Sequence, residues 1–246
     1  MGGVWDLSSA TLTSRLPWWL SPLTVAVVLG GFGIYSLWVA FSNSSYLVEP
    51  YLSPYYSPLL VFNWWPFSPA ILILWIPLGF RATCYYYRKA YYRAFFWDPA
   101  ACAIPERRGD KYRGETKFPF VMQNLHRFFW YLALIIWAIL AYDALKAFDF
   151  NGQFGIRLGS LIFLLNAALL GLYSFSCHSF RHLIGGRLDC YSCSFSARTR
   201  HKAWEGVSLI NRHHMLWAWL SLFSVALTDL YVRLLSWGVL TDMRFF

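Results

Sequence analysis

The residues of this chain best suited to chemistry are its six histidines and five cysteines. Imidazole and thiolate groups are the side chains that hold redox metals in proteins. All of them fall near or beyond the same end of the apolar segments described below, so we expect metal or electron-transfer chemistry on that side of the chain. The histidines are His126, His178, His182, His201, His213 and His214, and the cysteines are Cys84, Cys102, Cys177, Cys190 and Cys193.

The elements that must position these residues are membrane-spanning helices. Hydrophobic residues make up 58% of the chain and charged residues 13%, well below the roughly 25% charged residues of a soluble domain. A bilayer core of about 30 Å takes roughly 20 helical residues. The sequence therefore predicts an all-α fold, with one domain over residues 1–246 and five transmembrane helices in a bundle, at about 23–41, 69–87, 128–148, 158–177 and 215–235.

The distribution of charge orients this bundle. The connections 81–127 and 181–212 hold ten and six Lys or Arg, whereas 42–68 holds none. Cytoplasmic loops carry the excess of basic residues, so we predict inner loops at 88–126 and 181–212, a cytoplasmic amino terminus and an outer carboxyl terminus. The same bias explains the net charge of +9, and no nucleic-acid partner is expected. Because the cysteines lie on the reducing side, no disulfide framework is expected either.

Four of the helices each bring one cysteine or histidine to a similar depth. The helical rise of about 1.5 Å per residue places these four residues roughly 22 to 30 Å from the outer ends of their helices; they are Cys84, His126, Cys177 and His214. Two cysteines and two histidines form the ligand set of a Rieske-type [2Fe–2S] centre. The same set suits a tetrahedral zinc ion, and His126 with His214 or His182 suits one haem. The sequence thus predicts a metal site and leaves its metal open.

Other residues compete for these ligand roles. His178 and His182 are four residues apart, which places both on one helical face at a spacing that can chelate a metal. Cys190 and Cys193 form a CxxC pair, which can be half of a zinc site or a redox pair. His213 lies beside His214 but points about 100° away from it on a helix, toward the surface or a lipid headgroup.

Charged residues within the predicted spans are expected to pair or to serve the metal site. Asp229 and Arg233 are four residues apart near the outer end of the last helix, a spacing at which opposite charges form an ion pair. Arg81 precedes Cys84 by three residues on the same helical face. There it would tune a cluster or donate a hydrogen bond to a quinone, or instead extend to the lipid headgroups.

Four stretches of the sequence together resemble a known family. They are Cys84-Tyr-Tyr-Tyr-Arg-Lys-Ala-Tyr-Tyr-Arg, Asn124-Leu-His126-Arg, Cys177-His178-Ser-Phe-Arg-His182 and His213-His214-Met-Leu-Trp-Ala-Trp. The chain resembles the five-helix, cytochrome b-type membrane anchor of bacterial succinate dehydrogenase, or respiratory complex II. It is similar to the haem-lacking actinobacterial class, which carries a Rieske-type [2Fe–2S] cluster. The resemblance covers about residues 70–235.

The resemblance implies an electron-transfer subunit that does not act on succinate by itself. A flavoprotein with FAD and an iron–sulfur protein with further clusters would oxidise succinate at the cytoplasmic face of a bacterial plasma membrane. Menaquinone or ubiquinone would be reduced near the inner helix ends, where position and polarity select Arg81, Tyr85, Gln123 and His182. The direction of catalysis and a higher oligomer of the complex are left open.

Two alternative functions remain at this point. The first is a single-haem anchor, with one haem b, of a quinol:fumarate reductase or another quinone oxidoreductase. A second, outer haem lacks ligands, because the first helix and the outer face carry no histidine. The second alternative is a zinc-binding membrane transporter or structural protein. No role is predicted for Cys102.

Overall fold

The computed structural model of the protein describes residues 17–96, 120–186 and 188–246. Its helices are α1 (Leu20–Ser42), α2 (Pro69–Ala82), α3 (Tyr85–Phe95), α4 (His126–Lys146), α5 (Leu158–Phe175), α6 (His178–Gly185), α7 (Phe195–Asn211) and α8 (His214–Ser236). A 3-10 turn at Phe120–Leu125 leads into α4. Two antiparallel hairpins, which were not predicted, are β1–β2 (Leu47–Val48 and Tyr51–Leu52) and β3–β4 (Asp149–Phe150 and Gln153–Phe154). The predicted helical fold is confirmed.

Four stretches of helix are long and apolar enough to cross a membrane by themselves. They are α1, α4 together with its preceding turn, α5 and α8. A further crossing is obtained only if α2 and α3, which meet at an angle of 83°, are taken as one broken span. The described residues therefore contain four of the five predicted spans as continuous helices.

The predicted span at 69–87 is wrong in its last part. Helix α2 begins where the Ser68 hydroxyl accepts the N–H of Ala70, and it ends at Ala82. Cys84 follows with an extended backbone (φ −66°, ψ 129°), which cannot continue an α-helix. Helix α3 then starts in a new direction with the basic residues of 85–95, whose burial in hydrocarbon would be costly. The apolar pattern did not reveal this break.

The same kind of break separates α5 from α6. Helix α5 ends at Phe175, and Cys177 has an extended backbone (φ −63°, ψ 142°) before α6 begins. The predicted span at 158–177 is therefore two residues too long. The two predicted inner loops are also corrected, because 88–126 contains the rest of α3 and the 3-10 turn, and 181–212 contains most of α6 and all of α7. Cys102 lies outside the described residues.

The carboxyl terminus lies at the same end of the bundle as segment 43–68. The buried Tyr51 hydroxyl donates to Asp242 at 2.6 Å, and the N–H of Gly159 donates to the same carboxylate at 3.0 Å. Burial, followed by the hydrogen bond to Asp242, raises the pKa of Tyr51 above its ordinary value, so this hydroxyl remains a donor. An isolated β-bridge between Arg157 and Arg244 adds a second tie at this end.

A buried ion pair joins α8 to the rest of this end of the bundle. Asp229 and Arg233 are 0% exposed, and the Arg233 Nε lies 2.9 Å from the Asp229 carboxylate. The hydroxyls of Tyr35 and Ser53 also donate to Asp229, so α1 and the first connection share the network. The predicted pairing of Asp229 with Arg233 is confirmed.

A close approach of α2 and α4 fixes the other end of the bundle. A Cβ atom on Gly79 would lie 2.1 Å from the Phe129 ring, so only glycine permits this approach. Gly79 stands one turn before the end of α2, and Phe129 lies in the first turn of α4. This packing places the end of α2 beside His126, the first residue of α4.

Candidate metal centre

Both cysteines of the predicted ligand set occupy the helix breaks described above. Cys84 is the N-cap residue of α3 and Cys177 is the N-cap residue of α6. Their side chains are buried in the same apolar cluster, with 2% and 1% exposure. Amide N–H groups in the first turn of a helix lack intrahelical partners, and the positive end of the helix dipole favours a thiolate there. Each break therefore presents a buried sulfur in a setting that suits a metal ligand.

The first cysteine–histidine pair is His126 with Cys177. The Nε2 atom of His126 lies 3.1 Å from the Cys177 Sγ, and its Nδ1 lies 3.0 Å from the Thr83 hydroxyl oxygen. That hydroxyl donates its only hydrogen to the Gly79 carbonyl at 2.7 Å. With its hydrogen on the Gly79 carbonyl, Thr83 accepts the hydrogen of His126 Nδ1, and in that tautomer the Nε2 lone pair faces the sulfur.

The second pair is His214 with Cys84, and it repeats this arrangement. The Nε2 atom of His214 lies 3.8 Å from the Cys84 Sγ, and its Nδ1 lies 2.6 Å from the Ser176 hydroxyl oxygen. Ser176 donates in turn to the Tyr173 carbonyl at 3.1 Å. A metal-binding imidazole typically has its second nitrogen held in this way, which fixes the tautomer and the ring orientation.

The two pairs are built from crossed elements. Thr83 directly precedes Cys84, but its hydroxyl orients His126, which faces Cys177. In the same way Ser176 directly precedes Cys177, but its hydroxyl orients His214, which faces Cys84. Each histidine is the first residue of its helix, α4 or α8. The loss of one hydroxyl would therefore disturb the imidazole that faces the other break. These two hydroxyls were not predicted, although a hydroxyl residue precedes each buried cysteine.

Aromatic rings and one arginine enclose the two imidazoles. Phe80 stacks on His126 with ring centroids 5.0 Å apart, and Tyr173 stacks on His214 at 5.1 Å. The Arg81 guanidinium lies 4.8 Å from the centroid of the Tyr173 ring and donates to the Ala218 carbonyl at 3.1 Å. It also donates to the Tyr87 hydroxyl at 2.6 Å. Arg81 thus points into the bundle, and the expectation that it extends to the lipid headgroups is wrong.

The donors are gathered as two pairs. Within the described residues, no group of three or more His, Cys, Asp or Glu side chains is close enough to hold a single metal ion. A tetrahedral zinc ion needs four ligands around one centre, whereas a [2Fe–2S] cluster needs two protein ligands at each iron. Together the two pairs supply two thiols and two imidazoles, which is the ligand set of a Rieske-type [2Fe–2S] cluster. A Rieske centre assigns both imidazoles to one iron, whereas each contact here joins an imidazole to a thiol.

The alternative ligands contribute no side chain to the two cysteine–histidine pairs. His178, His182 and His213 are exposed, as was expected for His213. Cys190 and Cys193 form a disulfide across three residues, so neither sulfur is a thiolate donor in this structure. This bridge was not expected from the sequence. It closes one turn between α6 and α7 and joins no distant elements.

The four predicted quinone-site residues do not form one cluster. Arg81 is engaged inside the bundle, and Tyr85 is exposed beside Tyr86 with ring centroids 6.0 Å apart. His182 lines a cleft near the start of α4, and Gln123 is half-buried in the 3-10 turn. In the part of the chain that the structure describes, no hydrogen bond or ring contact joins any two of the four. They therefore remain candidates by position and polarity.

For a metal held by the two cysteine–histidine pairs, replacing Thr83 by valine is expected to weaken its binding about 10- to 100-fold, because His126 would lose the acceptor that fixes its tautomer. The measurement is the metal that the purified protein retains during dialysis against graded chelator. Thr24→Val is the matched control, since the Thr24 hydroxyl also donates to its own helix, to the Leu20 carbonyl at 2.9 Å, but at an exposed position. Equal retention by both variants would contradict the role assigned to Thr83.

Replacing both Cys190 and Cys193 by serine is expected to leave the metal content unchanged, because neither residue contacts the two cysteine–histidine pairs. The check is metal analysis of the purified variant beside the wild type, with free thiols counted in both. Loss of metal in this double variant would show that Cys190 and Cys193 contribute to metal binding.

Comparisons with known proteins agree on one family. Residues 20–238 match the family described as actinobacterial succinate dehydrogenase subunit SdhC. The structure is similar to a chain of the Mycobacterium smegmatis Sdh1 complex in the apo form, with a TM-score of 0.83 and 41% sequence identity. The alignment covers 94% of this chain and 93% of that chain. Among curated protein sequences, none matches this chain.

Proposed function

Since the chain belongs to the actinobacterial succinate dehydrogenase subunit SdhC family, we propose that it joins succinate oxidation in soluble partner subunits to the reduction of membrane quinone. Its apolar helices make it a multi-pass membrane subunit of such a complex. In this proposal the bent pair α2–α3 completes five crossings. The basic ends of α3, α4 and α7 face the cytoplasm, and the membrane is the bacterial plasma membrane.

The observation that carries the proposal is the pair of oriented imidazoles, each facing a buried thiol. We propose that Cys84, His126, Cys177 and His214 hold a [2Fe–2S] cluster with a Rieske-type ligand set. A cluster bound there would accept and release one electron at a time, at a potential that imidazole ligation raises to roughly −150 to +300 mV. Ligands from four different helices also tie the cluster to the folding of the bundle.

The surrounding residues have supporting roles in this proposal. Thr83 and Ser176 hold the Nδ1–H tautomers, so that each Nε2 is free to bind metal. Phe80 and Tyr173 cover the imidazole rings and exclude water. Arg81 keeps a positive charge near the centre through its contacts with Tyr173 and Ala218. A nearby positive charge favours the thiolate form of the cysteines and the reduced form of a cluster.

The proposed partners bind at the basic end of the bundle. Helix α3 interleaves aromatic and basic side chains, of which Tyr85, Tyr86 and Phe95 are exposed. Aromatic residues and arginine are enriched at protein interfaces. We propose that the iron–sulfur subunit binds this surface, with the flavoprotein beyond it, and that the chain alone does not act on succinate. Quinone would bind near the same end, with Arg81, Tyr85, Gln123 and His182 as the candidate residues.

The test of this proposal is purification of the complex through a tag on this chain. We expect FAD and the soluble subunits to copurify, and succinate to reduce both a quinone and a soluble dye. Removal of this chain from the host should abolish quinone reduction by the membranes and leave dye reduction by the released subunits. A tagged chain that brings down neither flavin nor iron would contradict the proposal.

A further inference from the structure

A basic cleft of about 350 Å³ opens beside the start of α4. It lies between the first turns of α4, helix α6 and helix α7. The lining residues are Arg127, Tyr131, Ser179, His182, Leu183, Gly186 and Arg200. Two arginines supply its positive charge, a histidine and two hydroxyls supply further hydrogen-bonding groups, and none of these residues is acidic.

The floor of this cleft is held in place by Arg200. Its Nε donates to the Ile184 carbonyl at 3.0 Å, and its Nη2 donates to the Gly186 carbonyl at 2.8 Å. These carbonyls belong to the end of α6, so α7 clamps that end and fixes the position of His182 on α6. Arg127, in contrast, is exposed at the mouth of the cleft. The cleft therefore has a floor fixed by Arg200 and an accessible guanidinium group on Arg127.

An apolar stripe continues from the mouth of the cleft along α4. Phe128, Tyr131 and Ile135 are 63%, 44% and 58% exposed, and their spacing of three and four residues puts them on one face. Tyr142 extends the same stripe two turns further. Since α4 is a candidate membrane span, an exposed apolar face of this kind is suited to contact with lipid chains. A basic cleft followed by an exposed apolar stripe is complementary to a phospholipid, which carries an anionic headgroup on apolar chains.

We propose that the cleft binds the phosphate of an anionic phospholipid, whose acyl chains lie along the α4 stripe. Basic pockets between helices at the cytoplasmic end of membrane proteins select anionic lipids by charge and by chain contact together. Arg127 donates to the phosphate at the open side, and Tyr131 stands at the boundary between headgroup and chain, where tyrosine is enriched. The site depends on α4 spanning the membrane and is independent of any metal at His126.

The experiment is native mass spectrometry of the purified complex in detergent, titrated with phosphatidylglycerol, with phosphatidylcholine, or with inorganic phosphate. We expect one phosphatidylglycerol to bind more tightly than phosphatidylcholine, and inorganic phosphate not to displace it. Arg127→Gln should weaken phosphatidylglycerol binding on the order of five- to tenfold, as expected for one guanidinium contact. Arg127→Lys should keep most of the binding, and Arg198→Gln, an exposed arginine on α7 outside the cleft, should change nothing.

Three results would overturn the lipid assignment. Equal losses in Arg127→Gln and Arg198→Gln would reduce the effect to net charge. Displacement of the lipid by inorganic phosphate would make the site one for a free anion. Loss of the soluble subunits, rather than of lipid, in Arg127→Gln would assign the cleft to an acidic surface of a partner. Arg127 is exposed, so the variants are expected to fold, and copurified flavin checks assembly in each.

Discussion

A complex that carries both His126→Ala and His214→Ala should reduce quinone with succinate roughly 100-fold more slowly than the wild type, or not at all. The two imidazoles are the parts of the proposed ligand set whose orientation is fixed from both nitrogens, by a hydroxyl at Nδ1 and a thiol at Nε2. Their removal takes from each thiol its imidazole neighbour and leaves a void beside Phe80 and Tyr173. Reduction of a soluble dye by succinate should continue, because it takes place in the partner subunits.

The matched control for this variant is the pair His178→Ala and His213→Ala. Both side chains are exposed, and each stands directly beside a residue of the proposed ligand set. The control should retain quinone reduction within a factor of about two, as is usual for exposed positions. If the control and the double variant lost quinone reduction equally, the distinction that the structure draws between inward and outward histidines would have no functional meaning.

Replacing Arg233 by methionine should prevent the complex from accumulating. Breaking a buried ion pair by removing one partner costs about 3–5 kcal/mol, because the other charge stays buried without compensation. Here that charge is Asp229, which is 0% exposed and lies within a candidate membrane span. The measurement is the amount of assembled complex in membranes, together with the Tm of what can be purified.

A second substitution makes this prediction specific. The variant with both Arg233→Met and Asp229→Leu should recover much of the lost complex, because replacement of a whole buried ion pair by apolar residues is often neutral. The hydroxyls of Tyr35 and Ser53 lose their acceptor in that variant, so recovery should be incomplete. Arg212→Met, at an exposed arginine, is the control. A stable Arg233→Met complex would show that Asp229 is neutralised in another way.

The sequence was sufficient to predict four of the five spans as continuous helices and to select four residues that the structure brings together as two cysteine–histidine pairs. Apolar length and the helical rise determine both of these, and the pairing of Asp229 with Arg233 follows from their spacing alone. The residues alone left the metal open, because cysteine and histidine bind iron and zinc alike, and only the family resemblance implied a [2Fe–2S] cluster. That choice depends on how the donors are grouped in space, which spacing along separate helices does not give.

The helix breaks at Cys84 and Cys177 were not predictable in the same way. Each depends on one residue with an extended backbone between two helical segments, and no proline or glycine marks either position. The apolar pattern extends to Cys84 and Cys177 before basic residues follow, so it located the ends of these spans only to within a few residues. The roles of Thr83 and Ser176 were missed for a related reason. A hydroxyl next to a cysteine can be assigned as the partner of a histidine only when the histidine is known to lie within hydrogen-bond distance of it.

The disulfide between Cys190 and Cys193 shows a different limit of prediction from sequence. The compartment argued against a disulfide framework, and the CxxC spacing left a zinc site and a redox pair as alternatives. In the structure the local turn between α6 and α7 brings the two sulfurs together in a disulfide. The CxxC pair is thereby separated from the buried thiols, and Cys84 and Cys177 are the free cysteines among the described residues.

The most direct test of the metal centre is chemical analysis of the purified complex for iron, acid-labile sulfide and haem, in the wild type and in a Cys84→Ser, Cys177→Ser variant. A [2Fe–2S] cluster in this chain predicts that the wild type exceeds the variant in iron and sulfide by equal amounts, with no haem in either. The reduced wild type should also give an electron paramagnetic resonance signal that the variant lacks. Equal iron and sulfide in both proteins would contradict the account. So would haem in the wild type that is lost in the variant with His126→Ala and His214→Ala.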